Sequence, residues 1–399
     1  MLTSLSLIFL TGMIFAALAK KLRLPGIIGM LLAGILLGPC GLNLLDGSIL
    51  GISADLRRMA LVIILLKAGL SLDLGDLKKV GRPALLMSFL PAVFEIGAYL
   101  LLAPVFFDLN LTEAAVMGSV LAAVSPAVVV PRMVHLIETK RGTQKGIPQL
   151  ILAGASLDDV FVIVLFSTFS GMAAGEAASA SALLQAPVSI LSGIALGLLT
   201  GKLLTLFFEY FHNRRRHIRN SAKTLIVLAI SFLLLTIEEV LTPILPLSGL
   251  LAIMAMACVL RKMPGGVGLR LSQKFGKLWI AAEVLLFVLV GAAVDLHYTL
   301  TAGPSALLLI LLALVIRAVG VALSTAGTHL NLRERIFCIA AYLPKATVQA
   351  AIGSVPLTMG LPCGSLVLSV AVLAILVTAP MGAIAIDRLA PRWLTQDTE

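Results

Sequence analysis

The sequence predicts an all-α polytopic membrane protein of about thirteen transmembrane helices, and three observations carry that expectation. The 399 residues are 59% hydrophobic and only 13% charged, whereas soluble domains run at about 45–50% apolar and about 25% charged. There is too little charge to clothe a water-facing surface, and too much apolar content for intrinsic disorder. The apolar residues also fall in stretches long enough for a hydrocarbon core of about 30 Å. Finally, Leu, Ala, Val, Ile and Gly dominate while aromatics make up 6%, which favours helices over a barrel of ~10-residue alternating strands with aromatic girdles. Many of the 34 glycines and 18 prolines lie inside the apolar runs, so broken or closely packed helices are expected.

Taken in chain order, the segment cores are 3–19, 25–45, 59–74, 82–106, 112–131, 147–170, 183–211, 222–241, 243–260, 278–296, 303–326, 334–353 and 361–386. The first has neither a basic leading stretch nor a small-residue cleavage site, and is expected to be a span. Pro243 and Pro246 mark the division between the eighth and ninth. The odd-numbered connections are rich in Lys and Arg, from Lys20, Lys21 and Arg23 through Arg214–Arg219 to Arg333 and Arg335, while the even-numbered ones carry only Arg57 and Arg58. Positive connections stay inside. The odd loops and the C-terminus are therefore expected in the cytoplasm and the N-terminus outside, in a multi-pass protein of the cell membrane. The formal net charge of +10 is thereby explained without a nucleic-acid partner. The four scattered cysteines show no paired spacing that would indicate a disulfide framework or a metal site.

Charges at membrane depth are costly and persist where they pair or line a polar cavity. Lys67, Lys202, Glu209 and Glu283 lie near segment ends, where long side chains reach the interface. Glu95, Asp158, Asp159, Arg317 and Lys345 lie deep. The doublet Asp158-Asp159, in the middle of the sixth segment, is the strongest feature. Neighbours on a helix diverge by about 100°, so one carboxylate can face a central cavity and the other a neighbouring helix. Loss of water and a like charge alongside both disfavour the ionised form of a carboxylate. At least one Asp is thus placed to exchange a proton, and a carboxylate that alternates between H⁺ and a hard cation such as Na⁺ or Li⁺ suits antiport.

Two segments are interrupted by proline and polar residues, at Val124-Ser125-Pro126-Ala127-Val128-Val129-Val130-Pro131 and at Tyr342-Leu343-Pro344-Lys345-Ala346-Thr347-Val348-Gln349. Proline removes a helix hydrogen bond, and the half-helix ends so created carry partial charges, which Lys345 and Thr347 are positioned to offset. The interruptions fall in the fifth and twelfth segments. Seven apart, these have opposite orientations, as inverted repeats demand. Glu95 lies thirteen residues into the fourth segment and Arg317 fourteen into the eleventh, so one expectation is a core ion pair between the two. Pairing of Arg317 with Asp158 is the other arrangement.

The motifs Leu65-Leu66-Lys67-Ala68-Gly69-Leu70, Gly154-Ala155-Ser156-Leu157-Asp158-Asp159 and Leu343-Pro344-Lys345-Ala346-Thr347-Val348-Gln349-Ala350-Ala351-Ile352-Gly353, with weaker support from Phe287–Asp295, resemble the monovalent cation:proton antiporters of the sodium/proton exchanger superfamily, and most closely its NHA-type branch. The resemblance implies the sodium/proton antiporter fold, with the broken helices crossing beside the aspartates. It implies exchange of Na⁺ or Li⁺ for H⁺ by elevator-type alternating access, with no cofactor beyond the transported ions. It also implies a homodimer among membrane lipids with no soluble protein partner. Asp159 would be the principal carrier of cation and proton, Asp158 its partner, and Ser125 and Ser156 further ligands. Residues 1–81 and 171–302 would form scaffold and dimerisation helices, and 82–170 and 303–399 the two halves of the transport core. Electrogenic relatives with an Asp-Asp pair commonly carry lysine where this chain has Arg317. An arginine does not titrate, which favours electroneutral exchange. Two other classes are weaker. An intramembrane aspartyl protease needs its two Asp on different helices, and an organic-anion/sodium symporter needs more polar side chains than this core offers.

Overall fold

The computed structural model describes residues 1–71, 81–174, 180–214, 218–241, 247–294 and 296–396, with 156, 160, 180–187, 190, 213 and 296–302 described by their backbone alone. Every one of the thirteen expected segments contains helix, and the described residues form no β-strand. In order these are α1 (Leu2–Lys21), α2 (Gly26–Leu37), the short α3 (Gly47–Gly51), α4 (Ser53–Ser71), α5 (Arg82–Met87), α6 (Leu90–Phe107), α7 (Leu111–Ala122), α8 (Pro126–Glu138) and α9 (Ile147–Ala173). There follow α10 (Ala180–Asn213), α11 (Asn220–Leu241), α12 (Gly249–Arg261), α13 (Val267–Ala292), α14 (Leu296–Ser324), α15 (Leu332–Ala341), α16 (Thr347–Ile352), α17 (Val355–Thr358) and α18 (Gly364–Trp393). Among the described residues nine helical stretches are long and apolar enough to cross a membrane, and α2 and α12 are shorter apolar helices. The second segment ends earlier than its apolar run, because Gly38 and Pro39 halt α2. The third begins earlier, at Ser53, and so takes Arg57 and Arg58 into α4.

The chain forms two compact units. One gathers Met1–Ala54, Leu74–Ala174 and Val284–Glu399, the other Asp55–Asp73 and Gly175–Glu283. In the second, α10 lies along α12, with α11 flanking α12. Gly193, Gly197 and Gly201 recur at four-residue intervals on the contact face of α10, and a Cβ on Gly197 would stand 2.2 Å from the carbonyl oxygen of Ala252. Small residues at that spacing let two helix backbones meet in an environment where hydrophobicity alone does not drive them together. Arg58 pairs with Glu239 at 2.5 Å in the same unit.

In the first unit α14 runs along α6, α6 along α7, and α9 packs on α5, α7 and α8, while α18 supports α14 and α15. Its buried core brings Val129 and Met133 of α8, Ile151 and Ala155 of α9, and Phe337 and Tyr342 into one cluster. That cluster lies where the fifth and twelfth segments are interrupted, and it holds the candidate site.

Candidate functional site

The two interrupted segments open identically. Asn110 accepts from the Glu113 N–H while Glu113 accepts from the Asn110 N–H, and Asn331 and Glu334 repeat this reciprocal cap. The first segment loses helical geometry at 123–125 and resumes at Pro126. The second loses it after Ala341 and resumes at Thr347. Pro126 occupies the first position of α8, where a missing N–H costs nothing. Pro131, also inside the expected interruption, stays within α8. The two interruptions touch, for the Ser125 N–H donates to the Pro344 carbonyl at 2.8 Å.

Each interruption leaves helix-end carbonyls and N–H groups that must be satisfied in a dry core. Arg317 and Gln349 take the carbonyls. Arg317 donates through Nε to Tyr342 at 2.9 Å and through Nη1 to Ala122. Gln349 Nε2 donates to Ala123 at 2.9 Å and to Leu121 at 3.4 Å. The exposed N–H groups find oxygens in turn. Val124 donates to Asp158 Oδ2 at 2.7 Å, Ala346 to Gln349 Oε1 at 2.8 Å and Lys345 to Thr378 Oγ1 at 2.9 Å.

The charges form one connected cluster. Glu95 Oε2 lies 2.6 Å from Arg317 Nη1 and 2.6 Å from Lys345 Nζ, and Arg317 Nη2 lies 3.5 Å from Asp158 Oδ2. Arg317 therefore stands between the two acids that the sequence leaves as alternatives. The Lys345 ammonium sits on Glu95, and the carbonyl ends are served by Arg317, whose planar five-donor fork can reach a carboxylate and two carbonyls at once.

A second group of atoms stands out because no described residue satisfies it. Asp158 Oδ1, Asp159 Oδ1, Ser125 Oγ, Thr347 Oγ1 and the Tyr342 hydroxyl are buried without a hydrogen-bond partner among the described residues. Asp159 is 7% exposed and Asp158 fully buried. Unsatisfied buried oxygens on carboxylates and hydroxyls are the donor set that a hard monovalent cation takes. The side chain of Ser156, and Asp295 of the weaker motif, lie outside the described residues. Sequence reasoning passed over Gln349, Tyr342 and Thr378 as structural participants. One readable signal was available, since Leu109-Asn110-Leu111-Thr112-Glu113 and Leu330-Asn331-Leu332-Arg333-Glu334 match at four of five positions, directly ahead of the two interruptions.

Two broken helices meeting over buried acids, in an otherwise apolar helical chain, are the arrangement of inverted-repeat secondary transporters. The model of the sodium/hydrogen exchanger transmembrane family matches residues 5–390, and the chain belongs to that family. It is 34% identical to human sodium/hydrogen exchanger 9B2 over 93% of this chain and 70% of the relative. With the Xenopus tropicalis protein of the same name it shares 36% identity over 86% and 64%. Its fold is similar to that of the sodium proton antiporter MjNhaP1 of Methanocaldococcus jannaschii, with a TM-score of 0.85 at 20% identity and 98% of each chain covered.

Proposed function

We propose that this protein exchanges one Na⁺ or Li⁺ for one H⁺ across a cell membrane, with Asp159 as the principal shared carrier and Asp158, Ser125 and Ser156 assisting. The family supports cation/proton exchange. The observation that carries the one-for-one reading is the charge of the buried cluster. Arg317 and Lys345 bring two positive charges, and Glu95, Asp158 and Asp159 bring three negative ones when ionised. One negative charge is in surplus, and a single proton or a single alkali cation neutralises it. Because an isolated charge is expensive in this setting, the site passes readily from one loaded form to the other and poorly when empty, which is the requirement for obligatory exchange.

The two halves of the transport core, 82–170 and 303–399, fall within one compact unit, which supports an elevator-type movement that carries the site as a body in each protomer of a homodimer. That unit also takes in Met1–Ala54, residues that the sequence assigns to the scaffold. The proposed orientation has the C-terminus and odd loops cytoplasmic. It is supported by Arg132 reaching Asp387 at 3.0 Å, Lys145 reaching Glu334 at 2.9 Å and Arg141 reaching the Pro391 carbonyl at 3.0 Å. All three contacts join regions that the charge rule puts on one side.

The test is a proteoliposome assay with a trapped pH dye. Adding NaCl or LiCl to acid-loaded vesicles is expected to move protons in the wild type and to have no effect with Asp159→Asn, provided the variant still elutes as a monodisperse species. Near-normal Na⁺-driven proton movement in Asp159→Asn would remove the assignment.

A further inference from the structure

One buried group has no part in the charge cluster or the helix-end bonding. The Tyr342 side chain is fully buried and its hydroxyl has no partner among the described residues. Its ring is fixed, because the Tyr342 carbonyl accepts from Arg317 Nε and the guanidinium carbon lies 5.6 Å from the ring centroid. The tip rests against α9 at Gly154, where an added Cβ would stand 2.1 Å from the hydroxyl oxygen. Gly154 and Asp158 are four residues apart on α9 and so share a face, one turn along.

If the ring served packing alone, phenylalanine would fill the same space without a buried, unsatisfied hydroxyl, which destabilises the fold. The oxygen is neutral and carries lone pairs, so it can face a cation without altering the one-for-one charge count. We propose that the Tyr342 hydroxyl is a further oxygen ligand of the transported alkali cation, and that Gly154 is the seat that gives it room. A ring wedged between a glycine backbone and a guanidinium cannot follow the ion inward or outward, so this ligand discriminates by ionic radius. The inference rests on the exchange reading above and adds a residue that sets selectivity between Na⁺ and Li⁺.

Initial exchange rates against NaCl and LiCl concentration in proteoliposomes test it, with wild type, Tyr342→Phe, Gly154→Ala and the double variant. Tyr342→Phe loses one atom that holds no hydrogen bond among the described residues and is expected to keep its fold. Its KM for the preferred cation should rise about tenfold, equivalent to ~1.4 kcal/mol of lost ion binding, with little change in maximal rate and an altered Na⁺:Li⁺ ratio. Gly154→Ala displaces the hydroxyl and should raise KM in the same way. The double variant should bind the cation no worse than Gly154→Ala alone, because both changes remove one interaction, while its melting temperature also carries the crowding of Met87 Cβ, which the added methyl would meet at 2.9 Å. Cation-dependent thermal stabilisation of the detergent-purified protein should weaken in parallel. A wild type that shows no exchange would sink the exchange reading itself. A wild type that exchanges, beside a Tyr342→Phe protein with unchanged KM and unchanged stabilisation for both cations, overturns the ligand assignment. Loss of maximal rate or of melting temperature alone overturns it too, by leaving the phenol a packing group.

Discussion

Glu95 holds two cations on a single oxygen, and that makes it the most consequential side chain for stability in the cluster. With its charge removed, Arg317 and Lys345 face each other in a dry core with one fewer acid between them. Breaking a buried pair by deleting one partner costs about 3–5 kcal/mol in soluble proteins. Glu95→Ala is therefore expected to lower the melting temperature in detergent clearly, whereas Lys345→Met, which leaves Glu95 on Arg317 at 2.6 Å, should lower it much less. Equal losses in the two variants would mean that the Lys345 contact matters to the cluster as much as Glu95 itself. The matching depths of Glu95 and Arg317 were legible in the sequence, because depth in a helical span is a residue count. The Lys345 contact was not. It leaves the chain from a stretch without helical geometry, where periodicity says nothing of side-chain direction.

The two interruptions are stable as elements because one amide serves both. Gln349 accepts from the N–H that opens its own half-helix and donates to the carbonyls that close the other. Gln349→Leu keeps the volume but orphans Ala346 N–H and the Ala123 carbonyl, each at ~1–3 kcal/mol, and is expected to reduce thermal stability by more than an apolar swap elsewhere in the bundle. A chemical or thermal melt of purified protein reads the difference, and an unchanged midpoint would show that the crossing does not depend on this side chain. The sequence located both interruptions, since proline beside polar residues is out of place in the middle of an apolar helical run. It overextended the first one, to Pro131, because the sequence alone does not distinguish a proline that a helix tolerates from one at which it begins. How the ends are satisfied was hidden, for those bonds join side chains to carbonyls far away in the chain, as Arg317 to Ala122 and Gln349 to Ala123.

At the scale of the whole molecule, composition alone made the membrane class legible, whereas a division into units does not follow from composition, since each of the two compact units is discontinuous in the chain. The surplus of one negative charge in the buried cluster has a consequence for transport across an energised membrane. If Arg317 keeps its proton throughout, as guanidinium does, and the Lys345 ammonium stays committed to Glu95 at 2.6 Å, each crossing of the site is electrically neutral whether it holds H⁺ or a cation. A membrane potential, worth about 2.3 kcal/mol per elementary charge at 100 mV, then has no charge to act on. In potassium-loaded proteoliposomes clamped with valinomycin, the rate of Na⁺-driven proton movement is expected to be the same at inside-negative and inside-positive potentials. Arg317→Lys replaces a fixed charge with an ammonium that lacks the fork needed to hold Glu95 and the helix-end carbonyls together, and that can release its proton. It opens a route for a second proton to leave as the cation enters, so voltage sensitivity should appear in that variant alone. Wild-type rates that follow the applied potential would mean that a further group in the cluster titrates with each cycle, and the one-for-one count would fall with it.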